Sequence, residues 1–232
     1  MASLWGEEFT ITPTQEVAKK VISRVSKPKE VTVTRVTKSN KVSLNERLQI
    51  IYQNVKQILG RYADDTLVIK TKEDFVEYID KAISNGVIAI DTETNNSLEP
   101  ITCKLMGPCI YTPGLKNAYI PINHTDMQGN RLEWQLTEED VAEQFSRLGD
   151  TLIIMHNGKF DYQVIKCTTG VQLKCYWDTM IGAKILDENE RAGLKEQYIS
   201  KIDSSIEKYS IDHLFEKIPY NVVDPEIFAL YA

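Results

Sequence analysis

The sequence has no apolar run of about 20 residues, the length a membrane-crossing helix needs. Its first residues, MASLWGEEFTITP, lack the basic stretch and apolar core of a signal peptide, so the cytoplasm is the expected compartment and no membrane is an expected partner. Cysteine is scarce: Cys103, Cys109, Cys167 and Cys175, none in a C-x-x-C pair. The three histidines, His124, His156 and His213, fall at no zinc spacing either. This argues against a zinc site and leaves the thiols as reduced core or surface residues. Basic charge is short as well: 27 Lys and Arg against 33 Asp and Glu, a net charge of −6 and a pI near 5.2. That disfavours a non-specific nucleic-acid coat. An enzyme holding cations among carboxylates stays open, because the ions supply positive charge locally. There is no internal repeat and no low-complexity tract.

What is present suffices for a folded domain. At 232 residues, 42% hydrophobic and 26% charged, the chain can bury a substantial core and carry an appendage besides. Its charge is uneven. Between Lys19 and Lys41 stand Lys20, Arg24, Lys27, Lys29, Arg35 and Lys38, opposed by Glu30 alone. Such a run is either an arm that touches nucleic acid or a partner, or a solvated, mobile segment; the second is the commoner case.

Residues 1–64 read as an appendage or linker. Val31–Thr37 alternates like a short strand. Ser43 and Glu46 form a capping box before a helix with Leu48, Ile51, Val55 and Ile58 on one face, ending near Gly60. From Thr66 the texture changes. Thr66–Lys70 is a strand, and Thr71 caps a helix that Gly86 ends. Val87–Ile90 is a buried strand running directly into Asp91-Thr92-Glu93-Thr94. Two strands over 101–111 and 118–122 flank a Pro113-Gly114 turn. Thr137 caps a helix to about Leu148, Thr151–Met155 is another buried strand, and mostly helix follows. The plan over 65–232 is α/β, a mixed sheet with helices on its faces.

Asp91 and Glu93 are two apart on a strand, so their carboxylates share one face. Two anions held that close are costly without a cation between them, and oxygen ligands suit Mg²⁺ or Mn²⁺. A solvated turn at a strand end is the plainer alternative. A second buried strand delivers Asp161, with Asn157 four residues before it. Here the plainer alternatives are a first-turn acid favoured by the helix dipole and an N-cap. Asp178, in CYWDTM, reads as an N-cap, and Tyr176 and Trp177 read as core aromatics.

VIAIDTET, HNGKFDYQVI and WDTMIGAKIL, in this order and spacing, resemble the proofreading 3′→5′ exonuclease domain of family A DNA polymerases, within the ribonuclease H-like DEDD exonucleases. The likeness covers roughly Thr66 to Ala232 and does not extend to residues 1–64. It implies a ribonuclease H-like fold and two divalent metal ions, Mg²⁺ or Mn²⁺. Asp91 would bridge both ions, Glu93 would bind the water-activating one, and Asp161 would serve the other. Leu98 would wedge against terminal bases, with Asn157 and Thr94 beside the nucleic acid. Asp178 would not be a metal ligand. Tyr231 matches a tyrosine that orients the attacking water. The matching motif, Tyr-x-x-x-Asp, would place a fourth carboxylate beyond Ala232, so this chain by itself is expected to be weak or inactive.

The implied reaction is hydrolysis of the 3′-terminal phosphodiester by two ions about 3.5–4 Å apart. The implied partners are single-stranded or frayed DNA 3′ ends and a polymerase domain, in cis or on a separate chain; a phage-type gene has this organisation. Two other readings share the motifs: a ribonuclease D-like RNA-processing exonuclease, and an inactive nucleic-acid-binding or partner-docking fragment of the same fold.

Overall fold

The computed structural model describes residues 43–95, 97, 99–204, 214–215 and 218–232. The basic stretch Lys19–Lys41 and the strand expected over Val31–Thr37 lie outside the described residues. Helix α1, Leu44–Leu59, starts on the Ser43–Glu46 capping box and buries Leu48, Ile51, Val55 and Leu59. After the short strand β1, Thr66–Val68, Thr71 caps α2, Lys72–Asn85, and Gly86 ends it at φ 71°, a conformation that favours glycine. Then come β2, Val87–Thr94, β3, Leu105–Tyr111, and β4, Asn117–Tyr119. A capping box of Thr137 and Asp140 opens α3, Glu138–Ser146. Strand β5, Leu152–Met155, leads into α4, Gly158–Thr169, and β6, Cys175–Asp178, into α5, Thr179–Leu186. Helix α6 is Leu194–Lys201 and α7 is Pro225–Phe228.

The six strands form one mixed sheet in the order β1-β4-β3-β2-β5-β6. Strands β2, β3 and β4 are antiparallel neighbours, whereas β5 and β6 run parallel to β2 and to each other. With helices on both faces, this is the ribonuclease H-like arrangement that the motifs implied. On one face Ile88 and Ile90 of β2 pack with Phe75 and Ile79 of α2, Phe145 of α3 and Val164 of α4. Full burial of each such side chain is worth about 1.5–3 kcal/mol. A second cluster joins Leu48, Ile51 and Val55 of α1 to Tyr119, Phe215, Val223 and Phe228. The appendage expected over 1–64 thus includes a helix that shares a core with Leu214, Phe215, Ile218, Val223 and Ile227–Ala229. Periodicity showed which side of α1 was apolar, but not what would cover it.

Two local expectations are corrected. Strand β2 does not stop at Ile90; it continues to Thr94, because β3 pairs with it that far. Tyr176 and Trp177 are not core residues. They lie on β6, the edge strand, and are 64% and 51% exposed.

Candidate active site

Alternation along β2 puts Val87, Ala89, Asp91 and Glu93 on one face, with the buried Ile88, Ile90, Thr92 and Thr94 on the other. Along β2, strand β5 pairs only with Val87–Ala89. Beyond Ala89 the β5 side of β2 is open, which makes a crevice at the carboxyl ends of the parallel strands, where open α/β sheets bind ligands. Across the other edge, Cys109 stands opposite Asp91 and Gly107 opposite Glu93. Gly107 leaves no room for a side chain: a Cβ there would lie 2.2 Å from the Ile120 carbonyl oxygen. Ligand atoms of Asp91, Glu93 and Cys109 all lie within 4.8 Å of one another.

Burial is the main force on these acids. It pushes Asp91 up to about 7, with help from the charge of Asp161. It pushes Glu93 up to about 8, helped by Asp91 and opposed by Lys195. Carboxylates that resist ionisation in one another's company fit a divalent cation, which would relieve their repulsion.

Asp161 reaches the site from the other side. It lies in the first turn of α4, buried to 2% exposure, on the face that packs against Ile88 and Ile90. The Thr92 hydroxyl donates to its Oδ1 at 2.6 Å. Burial raises Asp161 to about 6 against the pull of that hydrogen bond. Its ligand atoms fall outside the 4.8 Å cluster, although its charge is felt by Asp91 and Glu93.

Asp178 holds the turn that carries Asp161. Its carboxylate accepts from Met180 N at 2.9 Å and Ile181 N at 3.3 Å, as expected of an N-cap. It also accepts from Asn157 N at 3.0 Å and Gly158 N at 2.9 Å. Partial burial works against ionisation, yet the four N–H groups keep Asp178 below the ordinary carboxylate range. Asn157 occupies the N-cap position of α4 in the left-handed region, φ 59°, without a side-chain cap bond, and is exposed. Thr94 is buried and donates to the Ser97 carbonyl, on the face away from the acid pair. Leu98 lies outside the described residues.

Tyr231 is brought to the acids. A cavity of about 530 Å³ is lined by Asp91, Glu93, Lys195, Tyr198 and Tyr231. A neighbouring one of about 290 Å³ is lined by Ala89, Asp91, Cys109, His156 and Leu194 among others. Lys195 Nζ stands 5.2 Å from the centre of the Tyr231 ring. Sequence reasoning missed Cys109 and Lys195. The β2–β3 register places the first, and one of two lysines on a short polar helix carries no signal.

A ribonuclease H-like sheet with paired acids on its central strand defines a nuclease class. Within it, the chain belongs to the 3′-5′ exonuclease family, whose profile matches residues 67–220. Among similar curated proteins is DNA polymerase I of Borreliella burgdorferi, 32% identical over 154 residues, 66% of this chain. DNA polymerase I of Treponema pallidum is 29% identical over 56% of this chain. The chain spans 15% and 16% of the lengths of these two relatives. Among solved structures, Escherichia coli RNase D, an exoribonuclease involved in structured RNA processing, superimposes with a TM-score of 0.46 at 15% identity, covering 71% of this chain and 41% of that one. No described helix is long and apolar enough to cross a membrane.

Proposed function

We propose that this domain hydrolyses the 3′-terminal phosphodiester of single-stranded or frayed DNA with two divalent ions, Mg²⁺ or Mn²⁺, held by Asp91, Glu93 and Asp161. The observation that carries this reading is the Asp91–Glu93 pair, fixed on one face of the central strand with raised proton affinity and an adjoining cavity. Such ions supply an activated water and stabilisation of the departing 3′ oxygen. The chain's own residues do the rest. Asp91 and Glu93 present their oxygens from a strand that pairs with β3 from Ala89 to Thr94, so the donors are preorganised. Asp161 completes the set, held in place by Thr92. Tyr231, on the wall of the same cavity, orients the attacking water. Asn157 and Leu98 contact the nucleic acid, and Thr94, buried and bonded to the Ser97 carbonyl, supports the chain beside it.

The preference for DNA follows the two polymerase relatives, and a polymerase domain is the partner we propose, in cis or on a separate chain. A phage-type source and a cytoplasmic setting belong to the same proposal. The 232-residue chain alone is expected to cut slowly, because among the described residues two carboxylates and a thiol are what converge within 4.8 Å. Incubation of a 3′-labelled single-stranded DNA with the chain and Mn²⁺ should release mononucleotides at a low rate, and Asp91→Ala should abolish release. Product of equal amount from the wild type and Asp91→Ala would sink the assignment. Faster digestion of RNA than of DNA would shift it to RNA processing.

A further inference from the structure

We propose that the aromatic groove at the outer edge of the sheet, built around Trp177 and Tyr176, binds the single-stranded DNA that trails 5′ of the end being cut. The proposal rests on the reading that the domain acts on DNA 3′ ends. It adds to the acid site a second, base-stacking site for the same strand.

The backbone turns two aromatic rings outward. In the β5–β6 ladder Ile153 pairs with Cys175 and Ile154 with Trp177, so Tyr176 is an extra residue between them. Such irregularities at sheet edges re-aim side chains. Here Tyr176 and Trp177 are both more than half exposed, side by side on the edge strand. Trp177 is nonetheless fixed. Its indole lies against Gly182 of α5, where a Cβ would stand 2.6 Å from a ring carbon. Glycine weakens a helix interior, and at this position it is what admits the ring. The indole is thus held in one orientation with half its surface open, which is what a stacking platform requires.

The surroundings match a polyanion that carries bases. Tyr176 and Trp177 share a groove of about 470 Å³ with Tyr162, Lys159, Ile181 and Ile185. Lys166 adds a second cation at Tyr162: its Nζ lies 3.5 Å from the Tyr162 hydroxyl and 5.6 Å from the ring centre. The one carboxylate on the wall, Asp178, is occupied by four N–H groups. Aromatic faces beside lysines hold single strands through base stacking and phosphate charge, without regard to sequence. A protein partner would use Ile181 and Ile185 but has no need of the two lysines, so the charge favours nucleic acid. Position supplies the direction. Trp177 and Asp178 stand at the carboxyl end of β6, level with Ile154 and Met155 of β5. Asp178 accepts from Asn157 N and Gly158 N, in the turn that opens α4 and carries Asp161, and Gly158 and Asp178 also line the groove. The groove therefore begins at the turn beside the acids, within reach of the nucleotides that precede the scissile bond.

The test measures fluorescence anisotropy of a labelled oligo(dT) of about 12 nucleotides on the full 232-residue chain, in chelator so that the oligonucleotide stays intact. Trp177→Ala should weaken binding at least about fivefold, the smallest effect of removing one base–aromatic stack, and Trp177→Phe should recover most of it. An oligomer of equal length that keeps its last few nucleotides and is abasic elsewhere should bind the wild type and Trp177→Ala alike, which a merely structural role for Trp177 would not give. Equal affinity of the two proteins for oligo(dT) overturns the proposal and leaves the patch to a protein partner. An equal loss on oligo(dT) and on the abasic oligomer overturns it as well. In either case Mn²⁺-dependent release of mononucleotides that Asp91→Ala abolishes would still stand, so the groove can fail without the nuclease reading. A wild type that neither binds oligo(dT) nor releases mononucleotides sinks both. If Trp177→Ala fails to fold, photo-crosslinking of the wild type decides. 5-Iododeoxyuridine within the bound oligonucleotide should crosslink to the peptide holding Tyr176 and Trp177, read by mass spectrometry, and crosslinks confined to other peptides refute the groove.

Discussion

The hydroxyl of Thr92 donates to the carboxylate of Asp161 at 2.6 Å, tying the central strand to the first turn of the helix packed on its apolar face. Thr92 occupies the strand position between Asp91 and Glu93, so one hydrogen bond sets how far Asp161 stands from both acids. Replacing Thr92 by valine keeps the shape and removes the donor. A buried carboxylate that loses one of its hydrogen-bond donors costs about 1–3 kcal/mol. Urea unfolding of Thr92→Val at pH 7.5 should show a loss of that size. The loss should shrink near pH 4.5, where Asp161 is protonated. An unchanged midpoint at pH 7.5 would show that the bond contributes nothing.

The acid pair makes stability depend on pH in an unusual direction. Asp91 and Glu93 rise from 3.8 and 4.5 to about 7 and about 8 on folding. Between about pH 4 and pH 8 the folded chain therefore holds more protons than the unfolded one, and stability falls as pH rises through that window. In chelator the melting temperature should be lower at pH 8 than at pH 5.5. Asp91→Asn should flatten the slope and melt higher than wild type at pH 8. Saturating Mn²⁺ should restore the wild type, by about 2.7 kcal/mol at a hundredfold excess over Kd. A melting temperature that climbs from pH 5.5 to 8 in chelator would contradict the burial argument.

Asp178 serves two turns, so its removal should cost more than an ordinary cap. Loss of a cap alone costs about 0.5–2 kcal/mol. Asp178→Ala also strips the acceptor from Asn157 N and Gly158 N, in a turn that already carries a left-handed asparagine. The expected loss is about 2–4 kcal/mol, with nuclease activity lost as Asp161 shifts. Asp178→Asn, which keeps an acceptor oxygen, should recover part of both. Equal denaturant midpoints for the alanine and asparagine variants would count against the clamp.

Gly107 offers a steric test of the strand behind the acids. A methyl group there meets the Ile120 carbonyl oxygen and the Tyr119 ring, neither of which can move without opening the β3–β4 side of the sheet. Gly107→Ala should lower the melting temperature sharply and expose Tyr119, a change visible in near-ultraviolet circular dichroism. A soluble variant melting within a degree or two of wild type would show that the sheet can yield there.

Local chemistry made much of this legible in the sequence. Ser43, Thr71 and Thr137 each cap the helix they were expected to cap, because a cap is decided within four residues. Period-two alternation put Asp91 and Glu93 together, and the HNGKFD motif set Asp161 in the first turn of α4. Long-range pairing hid the rest. The meeting of Cys109 with Asp91 depends on a β2–β3 register that includes an irregularity after Glu93. The exposure of Trp177 depends on β6 lying at an edge, which aromatic composition does not reveal. Asp161 lies across the strand from the acid pair because of the face on which α4 packs, and no spacing encodes that.

The shared core of α1 and the segment around Phe228 bears on how the chain folds in time. Val55 and Phe228 are ~170 residues apart yet occupy one buried cluster, and contacts of such separation form slowly because the intervening chain must be ordered first. The sheet, built on nearer neighbours, is placed to form early. The wall that brings Tyr231 to the acids would close last, so a refolding experiment should recover sheet circular dichroism before the tyrosine environment of this cluster becomes native.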